Sequence, residues 1–204
     1  MSDRATHWEA VYTTKAENEV SWFQENPATS LRLISDANAS TDSRIIDIGG
    51  GASRLVDVLV AQGFRALAVL DISAAALEAA KTRLGAASAA VDWIVADVTS
   101  WTPAKSYDIW HDRAAFHFLT AASDRDAYID RLKSAVAPSG QVIIGTFALD
   151  GPEKCSGLPV QRYDARSLAD ALGPSFALAD HCTEAHRTPW GAIQHFQFSR
   201  FRRI

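Results

Sequence analysis

The chain has 204 residues, 48% of them hydrophobic and 22% charged, with a net charge of −4 and a pI near 5.8. That length and balance suit one soluble globular domain with a substantial core, and the acidic surface argues against a nucleic-acid backbone as the main partner. No run of about 18 consecutive apolar residues suggests a membrane span, the N-terminus has no long apolar core for export, and two isolated cysteines, Cys155 and Cys182, supply neither a disulfide framework nor a zinc site, so a reducing cytoplasm fits best.

Residues 4–25 read as one helix, or a helix and a turn, with Trp8, Val11 and Tyr12 at helical spacing and Trp22 and Phe23 after a charged interval. Asn26 and Pro27 break it, and residues 30–38 form a helix leading into the first strand. Ile45, Ile46 and Ile48 are a short β-branched run of the kind buried in a parallel sheet, and Gly49, Gly50 and Gly51 then permit a tight turn. A helix is expected from about Ala52 to Gln62, with Leu55, Val56 and Leu59 on one side and Gly63 after its end. Strand, glycine turn and helix make the first half of a Rossmann-like unit, in which a ligand reaches backbone N–H groups at the helix N-terminus.

The turn's details discriminate between cofactors. A dinucleotide fingerprint needs glycine at its first, third and sixth positions; Gly49 and Gly51 fit, but the sixth position is Arg54, which counts against NAD or FAD. Asp47, two residues before the first glycine, would repel a pyrophosphate and favour a cationic ligand. S-Adenosylmethionine carries an ammonium and a sulfonium and no phosphate. On Asp47, Gly49 and Gly51, with Ser53 where a further glycine is common, the chain resembles the class I S-adenosylmethionine-dependent methyltransferases. The resemblance implies that this loop, Gly50 included, holds the methionine part of the cofactor. It also implies a single domain over residues 1–204 in which residues 1–28 lie across the cofactor as a cover, turning Trp8, Tyr12 and Trp22 towards it. The alternative is that these aromatics pack the segment onto the sheet edge.

The second strand, Ala66 to Leu70, ends at Asp71, 20 positions after Gly51, where a Rossmann-like site places a carboxylate to accept from both ribose hydroxyls. Ile72 follows it into the site. Ser73 is the better-placed cap for the next helix, which closes at Gly85. The third strand, Val91 to Val95, delivers Asp97 and Val98, to which the resemblance assigns the adenine; Asp97 could instead begin a helical turn.

A fourth strand, Tyr107 to His111, runs into Asp112 and Arg113 at the carboxyl edge where ligands bind. The resemblance places Asp112 near the cofactor's methyl end and Arg113, Phe116 and His117 towards the acceptor. His111, His117 and Asp112 are the candidate bases, with a buried, hydrogen-bonded role as the alternative for His117. Ser123 and Asp126 resemble a capping box for a helix to Ala137, Pro138 to Gly140 stop it, and Gln141 to Phe147 form the fifth strand. The run from Asp150 to Tyr163 has no clear period and is expected to be a structureless acceptor loop, with Arg162 and Tyr163 recognising an acidic group or Arg162 merely solvated. A helix follows to Gly173, then two strands, Phe176 to Cys182 and Ala192 to Phe201. His181 and His186 lack a matching ligand set, so no metal is expected.

The expected architecture is a three-layer, Rossmann-like α/β sandwich on a seven-stranded, mostly parallel sheet with a C-terminal antiparallel hairpin. The expected activity is methyl transfer from S-adenosylmethionine to oxygen or nitrogen on a small metabolite, by a monomer or homodimer with no nucleic-acid or membrane partner. A protein-lysine methyltransferase, a nucleotide-dependent oxidoreductase and a non-catalytic cofactor binder are the rivals.

Overall fold

The structure is a computed structural model, described over residues 2–204. Five strands run parallel: β1 (Arg44–Ile48), β2 (Ala66–Asp71), β3 (Val91–Val95), β4 (Tyr107–Arg113) and β5 (Val136–Phe147). A short separate hairpin follows, β6 (Lys154–Cys155) with β7 (Leu158–Pro159). The antiparallel pair β8 (Phe176–Arg187) and β9 (Ile193–Arg203) completes the sheet in the order β3-β2-β1-β4-β5-β9-β8. The order reverses between β1 and β4, and the crevice outside their carboxyl ends is where such sheets bind ligands.

Alternation along the strands creates the three layers. Ile46 and Ile48 point into a core shared with Trp110, Tyr128 and Leu132, whereas Ile45 points into the opposite core with Leu33, Leu59 and Leu77. Helices α1 (Asp3–Thr14), α2 (Ala28–Asp36), α3 (Leu55–Ala61) and α4 (Ala74–Leu84) precede α5 (Ala122–Ala135) and α6 (Ala165–Leu172). Leu33, Leu59 and Leu77 come from α2, α3 and α4, and Leu132 and Leu168 from α5 and α6, so the two sets cover opposite faces. Each fully buried aliphatic side chain here contributes about 1.5–3 kcal/mol, which explains why the strands read as apolar runs.

The first covering segment takes the helix-and-turn form, a helix to Thr14 and then a single tight turn at Glu17–Glu19. Three local expectations are corrected. Helix α3 begins at Leu55, because Ala52 and Ser53 complete the turn, the Ser53 N–H donating to the Gly50 carbonyl at 2.7 Å. Ser123 and Asp126 form no capping box: they lie inside α5, whose cap position is Ala121. The Pro138-Ser139-Gly140 step sits in a bulge of β5 rather than ending a helix. Val136 pairs with Tyr107, the chain loops out, and Gln141 resumes the register opposite Ile109. Ser139 has φ +61°, a left-handed conformation that suits the bulge.

The run from Asp150 to Tyr163 is likewise not structureless. Ser156 and Gly157, with φ +50° and +79°, join β6 to β7 with the paired left-handed residues that a two-residue hairpin needs.

Candidate active site

Strands β1 and β2 bring Asp47 and Asp71 to the crevice, and the step after β3 brings Asp97. The glycine turn is drawn against β2, where the Gly49 N–H donates to the Leu70 carbonyl at 2.7 Å. A Cβ on Gly50 would lie 2.6 Å from Asp47 Oδ2 and 2.7 Å from Val69 Cγ1; on Gly51, with φ +45°, it would lie 2.9 Å from Asp71 Oδ2. Glycine is thus required for the backbone to lie this close to both acids.

Asp47 and Asp71 are buried. Asp71 Oδ1 accepts from the Ser73 N–H at 2.8 Å, while Ser73 Oγ caps α4 by accepting from Ala76 N–H at 3.1 Å. Burial, with the nearby Asp47 charge adding, pushes the Asp71 carboxyl up to about 7 against the N–H donors of Ser73, Ile72 and Gly51. Asp97 Oδ1 accepts from the Thr99 N–H at 2.9 Å, and its Oδ2 faces Arg4 at 3.3 Å. Asp97 therefore shapes its own turn while lining the cleft with Ile72 and Val98.

The cleft holds about 790 Å³ of space, the open solvent at its mouth included. Trp8, Tyr12 and Trp22 form its roof. Trp8 meets Trp22 and Phe118 edge-on at 5.6 and 4.9 Å, and Tyr12 Oη accepts from Trp22 Nε1 at 3.2 Å. Ion pairs strap the roof down. Arg4 meets Asp124 at 2.5 Å as well as Asp97. Glu9 accepts from Ser73 Oγ at 2.7 Å and from the Ala75 N–H at 3.2 Å, at the N-terminus of α4. Glu17 bridges Arg54 and Arg83, and Arg83 continues to Asp57 at 2.7 Å. Arg54, the residue that departs from the dinucleotide pattern, is therefore part of this strap.

A second hollow, lined by Asp47, Gly49, Gly50, Ser30 and His111, adjoins the first, and Arg113 lines both. Cross-strand register sets His111 beside Asp47. His111 Nδ1 is 2.7 Å from Asp47 Oδ1 and its Nε2 is 2.8 Å from Ser30 Oγ. Both ring nitrogens are committed, so His111 supports Asp47 rather than standing free as a base.

Several candidates lie elsewhere. The Asp112 carboxylate turns away from the cleft into the core, accepting from the Ala115 N–H at 2.8 Å and from Tyr128 Oη at 2.7 Å; burial raises it to about 6 against those donors. It holds the end of β4 and does not line the cofactor cleft. Phe116 and Tyr163 pack against each other in a tilted arrangement, centroids 5.5 Å apart, within the core, because the short turn after β4 directs Phe116 inward and Phe118 towards the cleft. His117 is fully buried beside Phe147, whose N–H it accepts at 3.3 Å. Burial and the Arg113 charge drive it down to about 3, so it is neutral and outside the cleft lining. Arg162 bonds the Gly151 carbonyl at 3.1 Å and pairs with Glu153, fastening its own loop.

Phe118, Phe196 and Cys155 line the cleft although sequence reading passed over them. The alternation in β9 marks Phe196 only as an inward residue, and Cys155 reaches the cleft through the β6–β7 hairpin, which no periodicity announced.

A family profile described as a methyltransferase domain matches residues 45–140. No curated protein matches the chain. Among solved structures, the N-methyltransferase NodS of Bradyrhizobium japonicum in complex with S-adenosyl-L-homocysteine is similar at 18% identity and TM-score 0.72, over 96% of this chain and 97% of that one. The 1,6-didemethyltoxoflavin-N1-methyltransferase of Burkholderia thailandensis is similar at 18% identity and TM-score 0.68, over 98% and 83%. A methyltransferase of Anabaena variabilis is similar at 13% identity and TM-score 0.73, over 100% and 96%.

Proposed function

We propose that the chain, whose residues 45–140 match a methyltransferase-domain profile, is a class I S-adenosylmethionine-dependent methyltransferase that methylates a nitrogen or oxygen of a small metabolite. On this reading the cofactor is S-adenosylmethionine, which supplies, when bound, a methyl carbon activated by its sulfonium. The observation that carries the reading is the set Asp47, Asp71 and Asp97 at the ends of three adjacent strands, Asp71 and Asp97 lining the roofed cleft and Asp47 the hollow that adjoins it.

The donor set fits that cofactor. Asp47 offers a carboxylate for its ammonium, the turn at Gly49–Gly51 has no side chains to keep the methionine part off the backbone, Asp71 offers acceptors for two ribose hydroxyls, and Asp97 with the Val98 N–H suits adenine. Of the covering segment 1–28, the described residues 2–28 act as the cover of a single domain, their aromatics excluding water; residue 1 lies outside the described residues. The chain's work is then chiefly positioning, which can supply up to roughly 7–11 kcal/mol.

A small acceptor is supported by the aromatic roof over the cleft and by the Burkholderia neighbour, whose structure holds 1,6-didemethyltoxoflavin. A protein-lysine substrate would suit an open groove lined by carboxylates. No helix among the described residues is long and apolar enough to cross a membrane; we place the protein in the cytoplasm as a monomer or homodimer.

Calorimetric titration with S-adenosylmethionine and with NAD tests the reading, repeated on Asp71→Ala. Micromolar binding of S-adenosylmethionine alone, lost in the variant, is expected. Binding of NAD alone would overturn the assignment of Asp47 and Arg54. Labelled methyl transfer into a metabolite mixture against a protein extract then separates the two acceptor classes.

A further inference from the structure

Among the described residues, the charged side chains along the cleft are closely matched, with one exception that meets its carboxylate only at 4.0 Å. Arg4 meets Asp97 and Asp124, Glu17 meets Arg54, and Asp47 and Asp71 have their places beside the cofactor. Arg113 is the exception. Its side chain is only 12% exposed, Nη1 donates to the Trp22 carbonyl at 2.8 Å, and Nε and Nη2 have no hydrogen-bond partner. The facing carboxylate, Glu184, stays 4.0 Å from Nη2 and accepts instead from Gln24 Nε2 at 2.7 Å.

A guanidinium this deep is costly unless an anion meets it, and its planar fork suits a carboxylate or similar oxyanion. Its surroundings are apolar. The guanidinium lies 4.9 Å above the Phe196 ring, and Trp8, Trp22 and Phe118 continue the wall. The cofactor adds a further positive charge here, which a cationic acceptor would increase and an anionic one would offset. No histidine on this side is free to take a proton, since His111 is bonded at both nitrogens and His117 is outside the cleft lining. An acceptor whose carboxylate oxygen itself takes the methyl needs none: the new carbon–oxygen bond would form as the cofactor's carbon–sulfur bond breaks, giving a methyl ester and neutral S-adenosylhomocysteine with no proton released.

We propose that the methyl acceptor is a small aromatic anion, its charged group paired with Arg113 and its ring held against Phe118 and Phe196. This rests on the methyltransferase reading above and narrows it to one substrate class.

The cofactor has a carboxylate of its own and Arg113 lines both hollows, so the experiment must separate the two anions. Protein saturated with S-adenosylhomocysteine is titrated in a calorimeter with benzoate, salicylate and indole-3-acetate, and with the carboxamide of each. At least one carboxylate is expected to bind roughly tenfold or more tightly than its carboxamide. The preference should vanish in Arg113→Gln and partly return in Arg113→Lys. S-Adenosylhomocysteine should bind both variants within about threefold of wild type, which also reports that they fold. Carboxylates that bind no better than carboxamides, or not at all, overturn the proposal. So does a large loss of S-adenosylhomocysteine affinity in Arg113→Gln with Arg113→Lys still binding, which would assign Arg113 to the cofactor's carboxylate. Wild-type protein that fails to bind S-adenosylhomocysteine would instead refute the methyltransferase reading itself.

Discussion

Cofactor affinity should depend on pH through Asp71. The carboxyl is raised to about 7 by burial and by Asp47, whereas two ribose hydroxyls require an ionised acceptor. At pH 6 about one tenth of the free protein then carries the charged form, and at pH 8 about nine tenths, so the apparent affinity should be roughly tenfold weaker at pH 6, or about 1.4 kcal/mol. The sign is set by the proton competing with the ribose: affinity rises with pH and levels off above about 7. The same shift bears on the unliganded fold. A folded-state value above the unfolded one means a contribution fully present below about pH 4 and lost as pH rises through about 7. Calorimetric titration of S-adenosylhomocysteine from pH 6 to about 8.5, on wild type and Asp71→Asn, checks both the slope and its origin. Affinity flat across that range in wild type, with binding still lost in Asp71→Ala, would refute the reasoning, because the carboxylate would then be ionised throughout.

Other predictions follow from single contacts. Gly50→Ala sets a methyl 2.6 Å from Asp47 Oδ2 and 2.7 Å from Val69, so it should destabilise by about 1–3 kcal/mol in urea denaturation and weaken cofactor binding. Tyr128→Phe removes the hydroxyl that donates to Asp112 at 2.7 Å and accepts from Trp110 Nε1 at 2.8 Å, both buried, and should cost about 1–3 kcal/mol without changing cofactor affinity at saturating folded protein. Glu17→Gln loosens the strap through Arg54 and Arg83, and S-adenosylhomocysteine affinity should fall about two- to fivefold with the melting transition nearly unmoved. His117 is held low, to about 3, so its contribution is present above about pH 6.5 and lost as pH falls towards 3; His117→Leu should flatten that acid limb in a denaturation series.

Readings that rested on local rules and those that needed the fold part company at identifiable residues. The β-branched run Ile45, Ile46 and Ile48, the glycines after it and acids at the ends of successive strands are consequences of short-range geometry. Parallel strands buried on both faces must be apolar, and their carboxyl ends must carry the polar groups that a ligand meets. The capping role of Ser73 was legible for the same reason, since a cap is satisfied within one turn. The bulge at Pro138–Gly140 was not, because proline and glycine punctuate a bulge and a helix end alike.

Side-chain direction around the site was a tertiary matter. Phe116 and Phe118 are two residues apart in one short turn, yet one packs on Tyr128 and the other on Trp8. Asp112 and His117 have residue types and positions that suit catalysis, but Tyr128 and Phe147 reach them from elements distant in the chain and turn them into internal supports. The straps on the roof join Glu17 to Arg83 and Arg4 to Asp124, residues with no sequence relation. The sequence by itself determined the strand ends and thereby the acids Asp47, Asp71 and Asp97. Only the packed structure decided that His111 backs Asp47 and that Arg113 is left without a carboxylate at hydrogen-bonding distance, because each depends on which partners other segments bring within reach.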